Sequence, residues 1–371
     1  MTTSKIKYLF LCLTIIGLWN CQPKKNKDTA IRSSVYGNLN NKEIIAYTLQ
    51  NKSGMQVVVL NYGTTITKMN VPDQQGVLGN VVLGFDSLEG YLQENNPYFG
   101  PTIGRFANRI GKARFTLNDT LYNLTANNNG NTLHGGESGL HKRIWDTKIL
   151  SDSSIQFTYL SPDGEEGFPG NLQTEVIMTL KSDNALQIDY TATTDRATPV
   201  SLTNHAYFNL SYGSSETILD HDLMIQANEI TPVDSLLIPT GILSPVVNTA
   251  FDFNQFKTIG RDISLVAGGY DHNFVLKKET GKLELAATVV DRKSGRKLEL
   301  FTTEPGLQFY SGNFLDGTLK GTNGVIYKKH AGFCLEPQRF PDSPNQISFP
   351  NSILQPGETY KQTSVYKFSM K

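Results

Sequence analysis

The sequence has little cysteine, little tryptophan and no net charge. Its 371 residues balance 34 lysines and arginines against 34 aspartates and glutamates, so nothing favours nucleic acid as a partner. The six histidines show neither the spacing of a zinc-binding helix nor pairing with cysteines. Phosphate-cradling and dinucleotide-binding glycine motifs are also missing. The balanced charge is compatible with a neutral substrate, and metal ligation stays open although no zinc motif is present.

The longest apolar run lies near the N-terminus, at residues 8–19. It is too short to span a bilayer comfortably and follows two lysines, which is the layout of a signal peptide. Cys21 stands at its end and resembles the lipidated cysteine of a bacterial lipoprotein. An ordinary cleaved signal and an uncleaved anchor are the alternatives. We expect residues 1–21 to be a lipoprotein-type signal peptide and 22–34 to be a flexible tether.

Only one cysteine remains in the body of the chain, Cys334. The mature protein therefore has no internal disulfide, despite its export signal. As a nucleophile, Cys334 would need surroundings that lower the pKa of its thiol. On a strand it shares a face with Glu336, whose charge would oppose thiolate formation. We interpret Cys334 as a buried structural residue.

Short β-branched and aromatic runs, separated by turns, fill the chain after about residue 35. A short helix is expected within 87–94, and no segment has a long helical period. Two hairpins are predicted, 174–180 with 186–192 and 283–291 with 297–302. No linker divides 35–371, so we expect a single all-β domain, a large antiparallel β-sandwich.

The segment 201–210, SLTNHAYFNL, carries a polar face if it is a strand, because alternate side chains share a face. Three apolar side chains then point into a core: Ala206, Phe208 and Leu210. Three polar ones point the other way and suit a pocket wall: His205, Tyr207 and Asn209. His205 is the one that could move a proton near neutral pH.

A partner for His205 is found far downstream, in 332–345, GFCLEPQRFPDSPN. Glu336 must be extended there, because Pro337 follows it. Its surroundings in sequence are apolar and aromatic. Glu336 is therefore a candidate base beside a candidate acid.

Four further stretches offer polar groups on otherwise apolar strands: GRFANRI with Arg105 and Arg109, NTLHGG with His134, YDHNF with Asp271, and EPGLQFYSGN with Gln308. Each has a structural alternative, such as an ion-paired arginine, a satisfied histidine or a turn cap. Together with His205 and Glu336, these side chains are the set expected in a pocket that binds an uncharged polyol and contains one acid and one base.

Seven motifs in order resemble the galactose mutarotase (aldose 1-epimerase) family: GRFANRI, NTLHGG, GFPGNL, TNHAYFNL, YDHN, EPGLQFYSGN and CLEPQRFPDSPN. The resemblance covers about 35–371. It implies a β-supersandwich, and an isomerase that interconverts the α- and β-anomers of hexoses such as galactose and glucose.

The resemblance also implies the residue roles. Glu336 corresponds to the general base and His205 to the general acid. Six residues fall on sugar-binding positions: Asn108, Arg109, His134, Tyr207, Asp271 and Gln308. No redox cofactor or obligatory metal is implied. Calcium is an accessory ligand in relatives of this kind, but the sequence places no site for it.

Two alternatives stay open at this point. One is a hexose-6-phosphate epimerase of the same fold, which would need extra basic residues at the pocket mouth. The other is an exported sugar-binding lipoprotein without catalysis, which could dispense with Glu336 or His205. We expect a monomer that acts on an aldohexose. We also expect it to be exported and held in the periplasm or on the outer membrane through Cys21.

Overall fold

A computed structural model describes residues 1–2, 30–212, 215–279 and 281–371. Most of the predicted signal peptide and tether lies outside these residues. Within them, no helix is both long enough and apolar enough to cross a membrane.

Strands are the dominant regular structure of the described chain. The first five are β1 (Arg32–Leu39), β2 (Lys42–Gln50), β3 (Gln56–Leu60), β4 (Ile66–Pro72) and β5 (Leu78–Asn80). The next nine are β6 (Thr102–Ile103), β7 (Arg109–Ile110), β8 (Arg114–Leu117), β9 (Thr120–Asn123), β10 (Thr132–Leu133), β11 (Asp146–Ser151), β12 (Ser154–Ser161), β13 (Leu172–Leu180) and β14 (Ala185–Thr194).

The second half of the chain continues in the same way. Short strands come first, namely β15 (Thr198–Pro199), β16 (Thr203–Asn204), β17 (Tyr207–Phe208), β18 (Asp222–Ile225), β19 (Ala227–Ile230), β20 (Ser244–Pro245) and β21 (Lys257–Thr258). The last seven are β22 (Asp271–Leu276), β23 (Glu284–Val290), β24 (Arg296–Thr302), β25 (Gly306–Tyr310), β26 (Phe333–Gln338), β27 (Ile353–Leu354) and β28 (Tyr360–Met370).

Helix is scarce in the described part of the chain. One α-helix, α1, spans Leu88–Leu92, inside the segment where a short helix is predicted. Six single-turn 3₁₀ helices lie in the loops, at Gly111–Ala113, Leu140–Lys142, Glu165–Gly167, Ile263–Leu265, Thr322–Gly324 and Ser343–Asn345.

Three antiparallel sheets form the body of the molecule. The largest has nine strands in the order β11-β12-β13-β14-β28-β24-β23-β18-β21. A six-stranded sheet runs β17-β26-β25-β22-β19-β20, and a five-stranded meander runs β1 to β5. Both predicted hairpins are present, as β13–β14 and β23–β24. The all-β sandwich prediction is confirmed.

The nine-stranded and six-stranded sheets pack through apolar side chains on alternate positions. Phe208 of β17 stacks on Tyr366 of β28, with ring centroids 5.6 Å apart, and lies 5.8 Å from Phe333 of β26. Leu335 and Phe309 belong to the same buried cluster. This packing directs the odd-numbered side chains of β26 into the core, so its even-numbered side chains, including Glu336, face the other way.

Two local expectations need correction. The segment 201–210 is not one strand but two short ones, β16 and β17, although Ala206, Phe208 and Leu210 do enter the core. The break occurs because the backbone of His205 bonds instead to the loop before β6: its N–H donates to Pro101 and its carbonyl accepts from Gly100, each over 3.0 Å. At the N-terminus, β1 begins at Arg32, inside the predicted tether.

Candidate active site

A cavity of about 190 Å³, open to solvent and lined by both polar and aromatic side chains, lies where β17, β22, β25 and β26 meet the loops around β6, β7 and β10. Its lining includes seven of the eight residues predicted for the site, namely Asn108, Arg109, His134, His205, Tyr207, Asp271 and Glu336. Larger cavities exist elsewhere on the described surface, but this one gathers the acid–base groups. Its lining residues come from positions 97 to 336, so the fold assembles the site.

Glu336 projects into the cavity from the middle of β26. It is extended before Pro337, as predicted, and lies opposite Gln308 in the β25–β26 register. Its side chain is 2% exposed, and among the described residues its Oε2 has no hydrogen-bond partner. Burial and the nearby Asp271 raise the pKa of Glu336 well above its usual value, while Arg109 opposes the shift. A carboxylate held in this way is a stronger base than a solvated one.

His205 faces Glu336 across the cavity. Its Nε2 lies 3.6 Å from Glu336 Oε2, and its ring stacks on Tyr207 with centroids 5.2 Å apart. Burial lowers the pKa of His205 to about 4, against a hydrogen bond with its own carbonyl that raises it. A protonated imidazole in this position is a stronger acid than a free one.

His134 presents a fixed hydrogen-bond donor. Its Nδ1 accepts the N–H of Asn108 over 3.2 Å, so the proton of the neutral ring sits on Nε2. Burial, chiefly, lowers the pKa of His134 well below its usual value and keeps the ring neutral. The next residue, Gly135, has φ +84°, and a Cβ there would lie 1.9 Å from the carbonyl oxygen of Gly104. That contact explains the first glycine of NTLHGG.

His134, His205 and Glu336 also resemble a metal-binding trio in their spacing, since one ligand atom from each lies within 4.8 Å of the others. A metal needs a lone pair from each imidazole. The Asn108 hydrogen bond leaves His134 with an N–H at Nε2 instead. The arrangement therefore favours hydrogen bonding to a polyol over metal ligation.

The two arginines of GRFANRI have different roles. Arg109 lines the cavity from β7, and its Nε donates to Asn128 over 3.1 Å. Arg105 points away and is 2% exposed. Its guanidinium donates to Ser161 and to backbone carbonyls of residues 161–170, which ties down the GFPGNL loop. Arg105 is structural, whereas Arg109 can bind a ligand.

Asp271 and Gln308 form a hydrogen-bonded pair on adjacent strands. Gln308 Nε2 donates to Asp271 Oδ1 over 2.7 Å. Burial raises the pKa of Asp271, while Arg109 and Gln308 oppose the shift. Gln308 is the one predicted site residue outside the cavity lining. It lies behind Asp271 and orients that carboxylate.

The cavity includes groups that the sequence reasoning missed. Tyr98 makes ring contacts with His134 at 4.7 Å and His205 at 5.8 Å, from a backbone with φ +63°. Tyr310 and Phe314 complete the apolar wall. Strand alternation in EPGLQFYSGN puts Tyr310 on the same face as Gln308, which is the signal that could have found it. Tyr98 has no comparable signal, because its position depends on a loop.

Comparison with known proteins identifies the family of the chain. The family model for aldose 1-epimerase matches residues 46–367. The chain belongs to the aldose 1-epimerase family. It is therefore an isomerase that acts on carbohydrates.

Individual relatives extend over nearly the whole body. The galactose mutarotase of Rattus norvegicus is 49% identical over 317 residues, covering 85% of this chain and 92% of the relative. The aldose 1-epimerase of Escherichia coli is 39% identical over 329 residues, covering 86% and 94%. Among solved structures, the aldose epimerase homologue from C. elegans has a TM-score of 0.81 at 34% identity, covering 87% of this chain and 98% of that one.

Proposed function

We propose that this enzyme interconverts the α- and β-anomers of hexoses such as galactose and glucose, with Glu336 as base and His205 as acid. The observation that carries the proposal is the placement of these two buried groups, 3.6 Å apart, on one small polar cavity. Curated mutarotases from the same family support it.

The reaction needs two proton transfers and no other chemistry. The Glu336 carboxylate takes the proton of the C1 hydroxyl while protonated His205 donates one to the ring oxygen O5, and the C1–O5 bond breaks. Rotation about C1–C2 then presents the other face of the aldehyde. Ring closure returns the proton on O5 to His205 and that on Glu336 to the C1 oxygen, so both groups are restored.

Burial assists both transfers. It raises the pKa of Glu336 and lowers that of His205, so it favours the proton arrangement of the open-chain stage, with Glu336 protonated and His205 neutral. The pair titrates as a unit. Activity should fall at low pH, where Glu336 and His205 are both protonated, and at high pH, where both are deprotonated.

The other cavity residues hold the sugar while C1 turns. His134 offers its Nε2–H, Asp271 accepts from hydroxyls, and Arg109 supplies a rigid fork of donors. The Tyr207 hydroxyl is engaged by the Pro97 carbonyl at 2.9 Å, so its ring serves as a wall. The proposed steps use no cofactor, and calcium stays an untested accessory ligand.

The cavity argues against a phosphorylated sugar. Among the described residues that line it, Arg109 is the one arginine or lysine. Two acidic residues, Asp271 and Glu336, stand opposite it and would repel a phosphate group. A non-catalytic sugar-binding protein is the remaining alternative, and it would not need the Glu336–His205 pair.

Polarimetry on fresh α-D-galactose tests the assignment. Glu336→Gln and His205→Asn should each fold normally and slow mutarotation by roughly 10²–10⁴-fold, the usual contribution of one positioned acid or base. The matched controls are Glu304→Gln, a buried carboxylate outside the cavity, and His330→Asn, whose Nδ1 contacts the Ser311 carbonyl away from the cavity. Wild-type rates in Glu336→Gln or His205→Asn would overturn the acid–base roles. Sugar binding by the wild type without rate acceleration would favour the binding protein.

We further propose that the enzyme is an exported monomeric lipoprotein anchored through Cys21. The support is the signal-like run 8–19 with the cysteine at its end. In bacterial cells, Cys21→Ala should lose labelling by radioactive palmitate and leave the membrane fraction. Cys12→Ala, within the apolar run, is the control and should keep both. An unlabelled wild-type protein would contradict the anchor.

A further inference from the structure

The two ring nitrogens of His205 face different partners. Nε2 points into the cavity toward Glu336. Nδ1 lies 3.6 Å from the Sγ of Cys334, which is within the distance of a hydrogen bond to sulfur. Cys334 is two residues before Glu336 on β26, and both side chains are on the same face of that strand. Strand β26 thus carries both the proposed base, Glu336, and a thiol that contacts the proposed acid, His205.

The residue that carries the thiol is paired with both neighbouring strands of the sheet. Cys334 pairs with Tyr207 of β17 and with Tyr310 of β25. It is fully buried, and burial followed by the charge of Glu336 raises the pKa of the thiol well above its usual value. Cys334 therefore stays a neutral S–H, which excludes thiolate chemistry but leaves a weak donor and a weak acceptor.

A neutral thiol suits an imidazole that gains and loses a proton. When His205 is neutral with its proton on Nε2, the Cys334 S–H can donate to Nδ1. When His205 is protonated, Nδ1–H can donate to the sulfur. The thiol keeps Nδ1 partnered in both states, whereas a carboxylate would favour the protonated ring and make His205 a weaker acid.

We propose that Cys334 is a positioning residue, which holds the Nε2–H of His205 toward the ring oxygen of the sugar. This inference rests on the proposed role of His205 as the acid. Stacking on Tyr207 fixes the plane of the imidazole but not its 180° flip about the Cβ–Cγ bond, because a flipped ring stacks equally well. The Cys334 contact distinguishes the two orientations.

Other groups around His205 also affect its titration. Those that contact it or share its cavity are Glu336 and Cys334 of β26, Tyr207 and Tyr310 of the neighbouring strands, the loop residues Tyr98 and His134, and Arg109 and Asp271. His141 lies on the far side of Tyr98, with ring centroids 4.9 Å apart. Among these groups in the described chain, Cys334 is the one whose side chain hydrogen-bonds to Nδ1.

The test compares Cys334→Ala with Cys334→Ser. Cys334→Ala should lower kcat about 5- to 20-fold with little change in KM, since the sugar contacts remain. Its acidic pH limit should shift to lower pH, because the protonated ring loses an acceptor and the pKa of His205 falls further. Cys334→Ser keeps a donor and an acceptor and should restore kcat and the pH profile to within about twofold. Leu335→Val, a similar packing change on the opposite face of β26, should leave the pH profile unchanged.

Nitrogen NMR of protein labelled at histidine reads the tautomer directly, and only six histidines contribute. Wild type and Cys334→Ser should show His205 with its proton on Nε2, and Cys334→Ala should show a mixture. An unchanged tautomer and pH profile in Cys334→Ala, or no rescue by Cys334→Ser, would overturn the proposal. If Cys334→Ala does not fold, a wild-type His205 with its proton on Nδ1 overturns it. Full activity in His205→Asn would instead contradict the proposed function.

Discussion

Along β13 in the nine-stranded sheet, buried residues alternate with partly exposed ones, whereas every residue of β26 in the six-stranded sheet is buried. One face of β13 meets the core and the other approaches solvent. Both faces of β26 are covered, one by the apolar core and the other by the loops that roof the cavity. A strand enclosed on both faces can hold polar side chains away from water, and this shifts the pKa of Glu336.

The two sheets should therefore respond differently to mutation. In the nine-stranded sheet, side chains contribute mainly to the free energy of unfolding. On the polar face of the six-stranded sheet, they contribute mainly to activity and are costly to bury.

The largest expected effect is on stability, in the nine-stranded sheet. Phe157 of β12 is fully buried in the main core, and Phe157→Ala should lower the free energy of unfolding by about 3–5 kcal/mol. The mutarotation rate per folded molecule should stay within about twofold. Denaturant titration and polarimetry on the same sample measure the two quantities. A large loss of kcat in fully folded Phe157→Ala would show that the core of the nine-stranded sheet also contributes to activity.

Asp271 tests the expectation that side chains on the polar face of the six-stranded sheet affect activity more than stability. Asp271→Asn should lower kcat/KM roughly 10- to 100-fold, because hydrogen bonds that involve a charged group are worth about 1.5–3 kcal/mol. Its stability at neutral pH should be unchanged or slightly higher, since burial raises the pKa of this carboxyl and the variant removes a charge that is costly to bury. Thermal unfolding checks this directly. A clear loss of stability with normal kinetics would reverse the assignment.

The smallest effect should come from Gln308, which contacts Asp271 at 2.7 Å and not the cavity. Gln308→Ala should lower kcat/KM by roughly 2- to 10-fold, the value of one neutral hydrogen bond. Its effect should largely disappear when Asp271→Asn is already present. Additive effects in this double-mutant cycle would mean that Gln308 binds sugar itself.

Much of the fold could be predicted because its signals are local. The hairpins β13–β14 and β23–β24 follow from alternation around short turns. Glu336 is extended because Pro337 allows little else. The break in 201–210 could not be predicted, since it depends on backbone bonds from His205 to a loop a hundred residues earlier.

The candidate site shows the same division. The seven predicted residues that line the cavity sit in motifs whose residue types suit a polyol. Gln308 does not line the cavity but donates to Asp271, and register alone cannot distinguish a ligand contact from support for that carboxylate. Cys334 is buried, as expected of a structural residue, and its sulfur lies 3.6 Å from the Nδ1 of His205, a contact that the sequence does not reveal. Tyr98 could not be predicted, because it lies in a loop and contacts histidines that are distant from it in the sequence.

The most direct test of the acid–base account is a crystal structure of the Glu336→Gln variant with galactose bound. The account predicts a closed pyranose whose C1 hydroxyl lies within hydrogen-bond distance of the amide at position 336. Its ring oxygen should lie within hydrogen-bond distance of His205 Nε2. A sugar bound in the reverse orientation, with C1 at Arg109 and its ring oxygen away from His205, would contradict it.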